Sequence, residues 1–315
     1  MLAIETKRLT RVFLPEGIRA VDGIDLKLRK GEIFAFLGPN GAGKTTTVRL
    51  LATLLKPTEG EAYVDGISVN EGLSVRKRIG ILTDQPNLYE RLSARKNLIY
   101  FARMYGVPRE EAKKRVNDLA TRFDLLSRLD SPAGTFSKGM KQKLGILRAI
   151  VHEPSVLFLD EPTAALDPIA AQKVRDTILD LTKETEVTIF MTTHNLSEAD
   201  RIADTIGVIN KGKLLTAGSP RELKEKLART NQVAIKLVEY SRDVEKGLLT
   251  IAGVKNVFPL SEKNQFTVEV EEYSRVVPQI VEALVAGGRK VLEIKKLEQT
   301  LEDVYMTIMK NNGGN

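Results

Sequence analysis

The stretch GPNGAGKTT, from Gly38 to Thr46, constrains the fold of this chain more than any other feature. It fits the pattern G-x-x-x-x-G-K-[ST], follows a short apolar run and precedes a segment with helical apolar spacing. Glycines in such a loop let backbone N–H groups turn inward around phosphate oxygens, and the next helix adds its positive dipole end. We expect Lys44 to reach the β- and γ-phosphates of a nucleotide and the Thr45 hydroxyl to bind Mg²⁺. The expected nucleotide contacts are Gly38, Pro39, Asn40, Gly41, Ala42, Gly43, Lys44, Thr45 and Thr46.

Buried strands and helical segments alternate over the first two-thirds of the chain. Apolar runs predict strands at 32–37, 156–159, 187–192 and 205–209. Helical spacing predicts helices at about 45–55, 93–128, 168–184 and 196–203, and Pro108 divides the second of these segments. Strands that alternate with helices are typical of an α/β fold around a parallel sheet.

The pattern changes after Gly218. A charged helix is predicted over 219–229. Further elements are predicted as a strand at 232–238, a helix at 241–251, strands at 254–259 and 265–270, a helix at 275–286 and a strand at 290–297. This βαββαβ order is that of a ferredoxin-like α+β unit. The segment Ser261 to Asn264 fits a hairpin turn between the two middle strands, and a last helix is predicted near 300–310.

Two adjacent carboxylates follow the second predicted strand. Asp160 ends the apolar run and is placed to hold Mg²⁺, as expected for a carboxylate that a buried strand delivers to a phosphate site. Glu161 follows it and points the other way if the strand continues, where it could polarise an attacking water as a general base. By itself Glu161 fits a solvent-exposed carboxylate equally well. Beside a phosphate loop, the catalytic interpretation is favoured.

Composition excludes several classes of protein. The chain has no Cys and only two His, which excludes disulfide scaffolds, thiolate zinc sites, Cys nucleophiles and histidine-rich metal sites. No apolar run approaches the roughly 18 residues that a membrane helix needs. The first ten residues lack the basic and apolar regions of a signal peptide, so we expect the protein to stay inside the cell.

Positive charge is concentrated in the middle of the chain. The formal net charge is +7, and residues 74–150 carry 17 basic and 7 acidic side chains. Such a segment attracts nucleic acid, anionic lipid or an acidic partner, and it is equally typical of a solvated helical face.

The stretch FSKGMKQK, from Phe136 to Lys143, resembles the signature motif of the ATP-binding cassette (ABC) ATPases, usually read L-S-G-G-Q. Ser137 and Gly139 match, whereas Phe136 and two further positions depart from the consensus. In that family this loop contacts the γ-phosphate of the ATP held by the opposite subunit. The resemblance implies a P-loop NTPase cassette with a RecA-like core, an N-terminal antiparallel β subdomain and a helical subdomain at about 88–150. It also implies a dimer that sandwiches two ATP molecules.

Other family motifs follow in order. Ala165 to Asp167 resembles the D-loop at the dimer interface, and His194 resembles the switch histidine that touches the γ-phosphate. Phe13 falls where the family places an aromatic ring on the adenine, although such a residue by itself fits a core position better. The family's Mg²⁺-contacting glutamine has no clear match here. The alignment favours Asp84 at that position, and a shift of one residue would place Gln85 there instead.

The resemblance implies an ATPase that uses ATP and Mg²⁺, with Glu161, His194 and Lys44 in catalysis. It implies a homodimer, or a heterodimer with a related ATPase, that works with separate integral membrane permease subunits and no dedicated nucleic-acid partner. The chain would lie in the cytoplasm, peripheral on the inner face of the cell membrane. The expected domains are a cassette at 1–218, a linker helix at 219–230 and an accessory domain at 231–315. The segment Thr300 to Tyr305 is similar to the closing segment of the ATPase subunits of drug, lipid and antibiotic exporters.

Two other functions remain open at this point. One is a soluble ABC ATPase that acts on nucleic acid or ribosomes, although such members usually carry two cassettes or a long coiled coil. The other is a ligand-sensing role for the C-terminal unit, because a ferredoxin-like fold does not by itself decide function.

Overall fold

The computed structural model describes residues 1–83, 85–227, 231–239, 241–259, 264–297 and 300–312. The chain divides into two compact units, Met1–Pro220 with Ile308–Asn315, and Arg221–Thr307. Among the described residues, no helix combines the length and the apolar character needed to cross a bilayer.

The first unit contains ten strands and seven α-helices among its described residues. The strands are β1 (Leu2–Phe13), β2 (Ile18–Arg29), β3 (Ile33–Leu37), β4 (Glu59–Val64), β5 (Ile67–Ser68), β6 (Ile79–Leu82), β7 (Val156–Asp160), β8 (Thr188–Thr193), β9 (Thr205–Asn210) and β10 (Lys213–Gly218). The helices are α1 (Lys44–Leu51), α2 (Gly72–Arg76), α3 (Ala94–Met104), α4 (Arg109–Arg122), α5 (Lys138–Ile150), α6 (Pro168–Thr185) and α7 (Leu196–Ile202).

Two sheets organise this unit. An antiparallel sheet has the order β2-β1-β4-β5, and a six-stranded sheet has the order β10-β9-β3-β8-β7-β6. Within the larger sheet only β10 runs antiparallel to its neighbour. Every residue of β3, β7 and β8 is buried, as expected where crossover helices cover both faces of a parallel sheet. The predicted α/β architecture is confirmed.

Four phenylalanines pack in the core between these strands and hold them in register. The ring of Phe190 lies 5.1 Å from that of Phe34, 5.5 Å from that of Phe36 and 5.7 Å from that of Phe158, measured between centroids. All four side chains are almost completely buried. Since β3, β7 and β8 are parallel neighbours, their carboxyl ends lie at one edge of the sheet, which is where ligands bind in such folds.

The second unit is a four-stranded antiparallel sheet with helices on its apolar face. The remaining elements of the chain are α8 (Pro220–Leu227), β11 (Asn231–Leu237), α9 (Arg242–Leu248), β12 (Val254–Pro259), β13 (Gln265–Val270), α10 (Tyr273–Ala286), β14 (Val291–Leu297) and α11 (Leu301–Asn312). The strand order β12-β13-β11-β14 with βαββαβ connectivity is ferredoxin-like, as predicted. Side chains at alternate positions of β11 are buried against α10, for example Val233 and Ile235.

Several sequence predictions need correction at their ends. The helix predicted over 45–55 ends at Leu51, because the following residues form a hydrogen-bonded turn. The segment 93–128 divides into α3 and α4, and a short 3₁₀ turn replaces helix at 126–128. The hairpin turn predicted at 261–264 lies outside the described residues apart from Asn264, which adopts a left-handed conformation with φ 65°.

His152 follows α5 and lies outside any candidate site. Its ring stacks on Tyr105 at 3.6 Å between centroids, and its Nε2 lies 2.9 Å from the Ile79 carbonyl oxygen. The buried Nδ1 has no hydrogen-bond partner within the described part of the chain. A proton on Nδ1 would create a buried donor without an acceptor, and burial accordingly lowers the pKa of His152 to about 4.

This histidine should make stability depend on pH. The native imidazole takes up a proton only near pH 4, whereas an unfolded histidine does so near pH 6.5, so stability is lost as the pH falls through that window. His152→Phe keeps a ring against Tyr105 and cannot titrate. We expect the variant to gain up to about 3 kcal/mol in unfolding free energy relative to wild type between these limits. Urea unfolding of both proteins across this range measures the difference, and a constant difference would contradict the prediction.

Candidate functional site

The phosphate loop joins the buried strand β3 to α1 through backbone that only glycine permits at two positions. Gly43 has φ 108°, and a Cβ there would lie 2.2 Å from the carbonyl oxygen of Ala20. A Cβ on Gly38 would lie 2.4 Å from the carbonyl oxygen of Ile209. The loop therefore packs directly on the backbone of β2 and β9, and the start of α1 is fixed in place.

Lys44 is the first residue of α1 and bends back over the loop. Its side chain is only 6% exposed. Its ammonium donates to the carbonyl oxygen of Gly38 at 2.7 Å and to that of Pro39 at 3.3 Å. It also lies 3.4 Å from Oε1 of Glu161. A buried cation beside backbone amides at a helix start is an anion-binding arrangement.

Asp160 and Thr45 meet at the carboxyl end of β7. The Thr45 hydroxyl lies 3.3 Å from Oδ1 of Asp160, and the Thr192 hydroxyl donates to the same oxygen at 2.5 Å. Mg²⁺ prefers oxygen ligands and is usually held by one or two carboxylates together with substrate phosphates. The described residues contain no cluster of three or more acidic, His or Cys side chains that could hold a metal by itself. The donor set of one carboxylate and one hydroxyl therefore fits Mg²⁺ bound together with a nucleotide.

Glu161 does not continue the strand. Its φ is 53°, and its N–H donates to both the carbonyl and the hydroxyl oxygen of Thr192 at 3.1 Å. This left-handed turn directs the side chain between two partners. Oε1 faces Lys44, and Oε2 lies 2.6 Å from Nδ1 of His194. Three of the predicted catalytic residues are thus brought into one contiguous group.

A cavity of about 380 Å³ opens over this group. It is lined by the phosphate loop, by Ala20 and by Glu161, Ala164 and His194. Gly38 and Ala42 of the predicted contact set are buried beneath the loop and do not line it. Phosphate-loop and catalytic side chains therefore share a single space.

Phe13 is not among the residues that line this cavity. It ends β1, pairs with Ile18 across the hairpin, and stacks against the Arg11 guanidinium at 4.9 Å. It is half-buried, so the core interpretation is not borne out either. Its contact with adenine stays a prediction.

Ser137, Gly139 and Asp167 line a second cavity of about 420 Å³ that shares no lining residue with the first. Ser137 caps α5 by accepting from the Met140 N–H at 3.3 Å, and Asp167 caps α6 by accepting from the Ala170 N–H at 2.9 Å. A Cβ on Gly139 would lie 2.8 Å from Cβ of Ala170. These three predicted nucleotide contacts lie together, but one copy of the chain does not bring them to its own phosphate loop.

The two alternatives for the metal-contacting position stay open. Asp84 lies outside the described residues. Gln85 is exposed, its carbonyl oxygen accepts from the Thr83 hydroxyl at 2.8 Å, and it does not line the phosphate cavity. A role in binding Mg²⁺ remains a prediction for either residue.

Sequence reasoning missed Thr192 and a buried acid, Glu198. Thr192 is the register partner of Asp160 across β7 and β8, so only the strand order could have revealed it. Glu198 is 1% exposed on α7, and its carboxylate accepts from the hydroxyls of Thr163 and Thr193, both at 2.7 Å. Burial raises the pKa of Glu198, and these two hydrogen bonds partly oppose that shift.

The chain matches the family described as "ABC transporter" over residues 21–164 and the family described as "ATP-binding protein DrrA1-3-like, C-terminal domain" over residues 218–309. It is 35% identical over 311 residues to the daunorubicin/doxorubicin resistance ATP-binding protein DrrA of Streptomyces peucetius. The alignment covers 97% of this chain and 92% of that protein. It is 32% identical over 307 residues to the bacitracin transport ATP-binding protein BcrA of Bacillus licheniformis, with 97% of each protein covered.

Similarity to solved structures supports the same family. The dimeric structure of the ATP-binding cassette MJ0796, in a post-hydrolysis state bound to ADP and Pi, superimposes with a TM-score of 0.62 at 27% identity and covers 69% of this chain and 98% of that chain. The alternative of an ATPase that acts on nucleic acid or ribosomes finds no support among these relatives. The chain belongs to the ABC transporter ATP-binding proteins, and it is an ATP-binding and ATP-hydrolysing subunit.

Proposed function

We propose that two copies of this chain, or one copy and a related ATPase, bind two ATP molecules with Mg²⁺ and drive export through separate membrane permease subunits. The observation that carries this proposal is the division of the predicted nucleotide contacts between two cavities. Lys44, Glu161 and His194 line one cavity, and Ser137 and Gly139 line the other. A second copy supplies the missing contacts, and MJ0796 is a dimeric relative.

The catalytic side chains of the first cavity have separate roles in hydrolysis. Lys44 and the loop amides offset the phosphate charge, and Mg²⁺ held by Thr45 and Asp160 would supply further neutralisation. Glu161 orients the attacking water and accepts its proton, while His194 fixes the Glu161 carboxylate through Nδ1. Closure of the second copy over the nucleotide converts ATP binding into an open-to-closed switch.

Cationic side chains support the second cavity as the place where the other copy's nucleotide binds. Three of them line it in addition to the signature residues, namely Arg128, Lys143 and Lys173. Burial lowers the pKa of Lys143, and an incoming phosphate would favour its charged form.

The domain arrangement that accompanies this proposal is a cassette at 1–218 with a helical subdomain at 88–150, a linker helix at 219–230 and an accessory domain at 231–315. The division of the structure between Pro220 and Arg221 supports the first boundary. The chain would act at the inner face of the membrane. The names of DrrA and BcrA point to antibiotic-type molecules as cargo.

Affinity purification from detergent-solubilised native membranes tests this proposal. The tagged Glu161→Gln variant with MgATP is expected to bring down a multi-span membrane protein in stoichiometric amount, because ATP then holds the closed dimer without turnover. The same variant with ADP is the matched control and should retain less of the partner. Recovery of ribosomes or nucleic acid in place of a membrane protein would overturn the transport assignment.

A further inference from the structure

Glu198 closes a ring of contacts behind the catalytic pair. Its Oε1 accepts from the Thr163 hydroxyl and its Oε2 from the Thr193 hydroxyl, each at 2.7 Å. Thr163 lies two residues after Glu161, and Thr193 directly precedes His194. Since Glu161 and His194 are themselves joined at 2.6 Å, one carboxylate connects the backbone segments of both partners.

Further hydrogen bonds join this ring of contacts to the start of α7, the helix that carries Glu198. Asn195 caps α7 by accepting from the Glu198 N–H at 3.2 Å, and the Thr193 hydroxyl accepts from the Asn195 N–H at 3.0 Å. The turn that carries His194 is therefore held at both ends by hydrogen bonds that converge on Glu198. Its position cannot change without breaking one of them.

Burial of a carboxylate at this position costs desolvation free energy. Glu198 is 1% exposed and has no cation within salt-bridge distance among the described residues. An apolar side chain would fill a buried helix position without the desolvation penalty of a carboxylate. Two hydroxyls, one at the end of β8 and one in the loop after β7, both donate to this carboxylate, which indicates that the fold uses its acceptor oxygens.

We propose that Glu198 is a positioning residue for ATP hydrolysis, holding Glu161 and His194 in their mutual geometry by tethering Thr163 and Thr193. This inference rests on the proposed roles of Glu161 and His194. It also couples the segment that leads to Asp167 with the turn that carries His194, so a shift of either segment is transmitted to the other.

Steady-state ATPase kinetics of Glu198→Ala tests the proposal. Without both hydrogen bonds, Glu161 and His194 can leave their mutual geometry. Misplacement by about 1 Å can lower the rate ~100-fold. We expect kcat to fall at least about tenfold, with the KM for ATP within about twofold, because no atom of Glu198 lines the nucleotide cavity. Thr163→Val removes one tether alone and should lower kcat by an intermediate amount. The buried hydroxyl variant Thr177→Val, on α6, is the matched control and should match wild type.

Glu198→Gln separates positioning from folding. Its carbonyl oxygen accepts from one threonine, and its amide donates to the other hydroxyl, which can rotate to accept. We expect it to retain kcat within about threefold of wild type. In a His194→Ala background the ring is already open, so Glu198→Ala should cost under about threefold more.

Distinct outcomes separate this inference from the function on which it rests. A wild-type protein without ATPase activity would refute the proposed roles at the site. An active wild type with an equally active Glu198→Ala variant would overturn the positioning role alone. A multiplicative loss with His194→Ala, or a raised KM with unchanged kcat, would also overturn it.

Discussion

Replacing Glu161 by Gln is expected to lower ATP turnover by about 10³-fold and to leave ATP binding intact. A positioned general base contributes roughly 10²–10⁴-fold, and an amide cannot accept the proton of the attacking water. The substitution preserves size, and the amide can still hydrogen-bond Nδ1 of His194. The geometry around the site should therefore survive, and the loss should fall on kcat.

The affinity of this variant for ATP provides a second, independent readout. In the wild-type protein Oε1 of Glu161 lies 3.4 Å from the Lys44 ammonium. Removing that negative charge leaves Lys44 free to face a phosphate, so we expect the Kd for ATP to be unchanged or lower. Phosphate release and fluorescent-nucleotide titration measure the two quantities. Glu59→Gln, an exposed position on β4, is the control, and turnover equal to wild type in Glu161→Gln would refute the base assignment.

The sequence predicts most of the first cavity because its parts are contiguous motifs at strand ends. A buried apolar run followed by GPNGAGKTT, and another followed by Asp160 and Glu161, specify two loops at one edge of a parallel sheet. His194 follows a third apolar run, but its role is predicted from the resemblance of this position to the switch histidine of the family. In each case the local sequence pattern and the sheet topology place the residue at the same edge of the sheet.

Residues that act through neighbouring strands could not be found in that way. Thr192 contacts Asp160 only because β8 lies beside β7, and strand order is not encoded in the periodicity of either strand. Glu198 occupies a short helix that has no conspicuous pattern, and its role depends on two threonines 35 and 5 residues away. The end predicted for α1, near residue 55, is wrong because Leu54 and Leu55 continue the apolar spacing although the backbone turns after Leu51.

Two residues of the second cavity show a different limit of prediction from sequence. Ser137 and Asp167 each cap a helix within their own chain, so the fold alone gives both residues a structural reason to be there. The nucleotide role that we propose for both residues rests on the two cavities, whose linings share no residue. The composite site that we propose would be complete only in a dimer, where a second subunit supplies the missing contacts.

Gly43→Ala is expected to weaken ATP binding strongly and to destabilise the cassette. The added Cβ would meet the Ala20 carbonyl oxygen at 2.2 Å on backbone with φ 108°, so either β2 or the start of α1 must move. Overpacking and left-handed strain together cost about 2–5 kcal/mol. A shift of the α1 start also misaligns Lys44 and Thr45, and we expect the Kd for ATP to rise more than about 100-fold.

Gly66→Ala is the control that separates the backbone strain of a positive φ from the collision of the added Cβ with a neighbouring strand. Gly66 also has a positive φ, 79°, but a Cβ there would meet nothing within 4 Å and the residue lies outside both cavities. It should lose only about 1 kcal/mol and bind ATP normally. Adding Ala20→Gly to Gly43→Ala should not restore binding, because the collision is with a backbone oxygen that every residue carries. Rescue by that second change, or equal effects of the Gly43 and Gly66 variants, would show that the close approach of loop and strand is not what shapes the phosphate site.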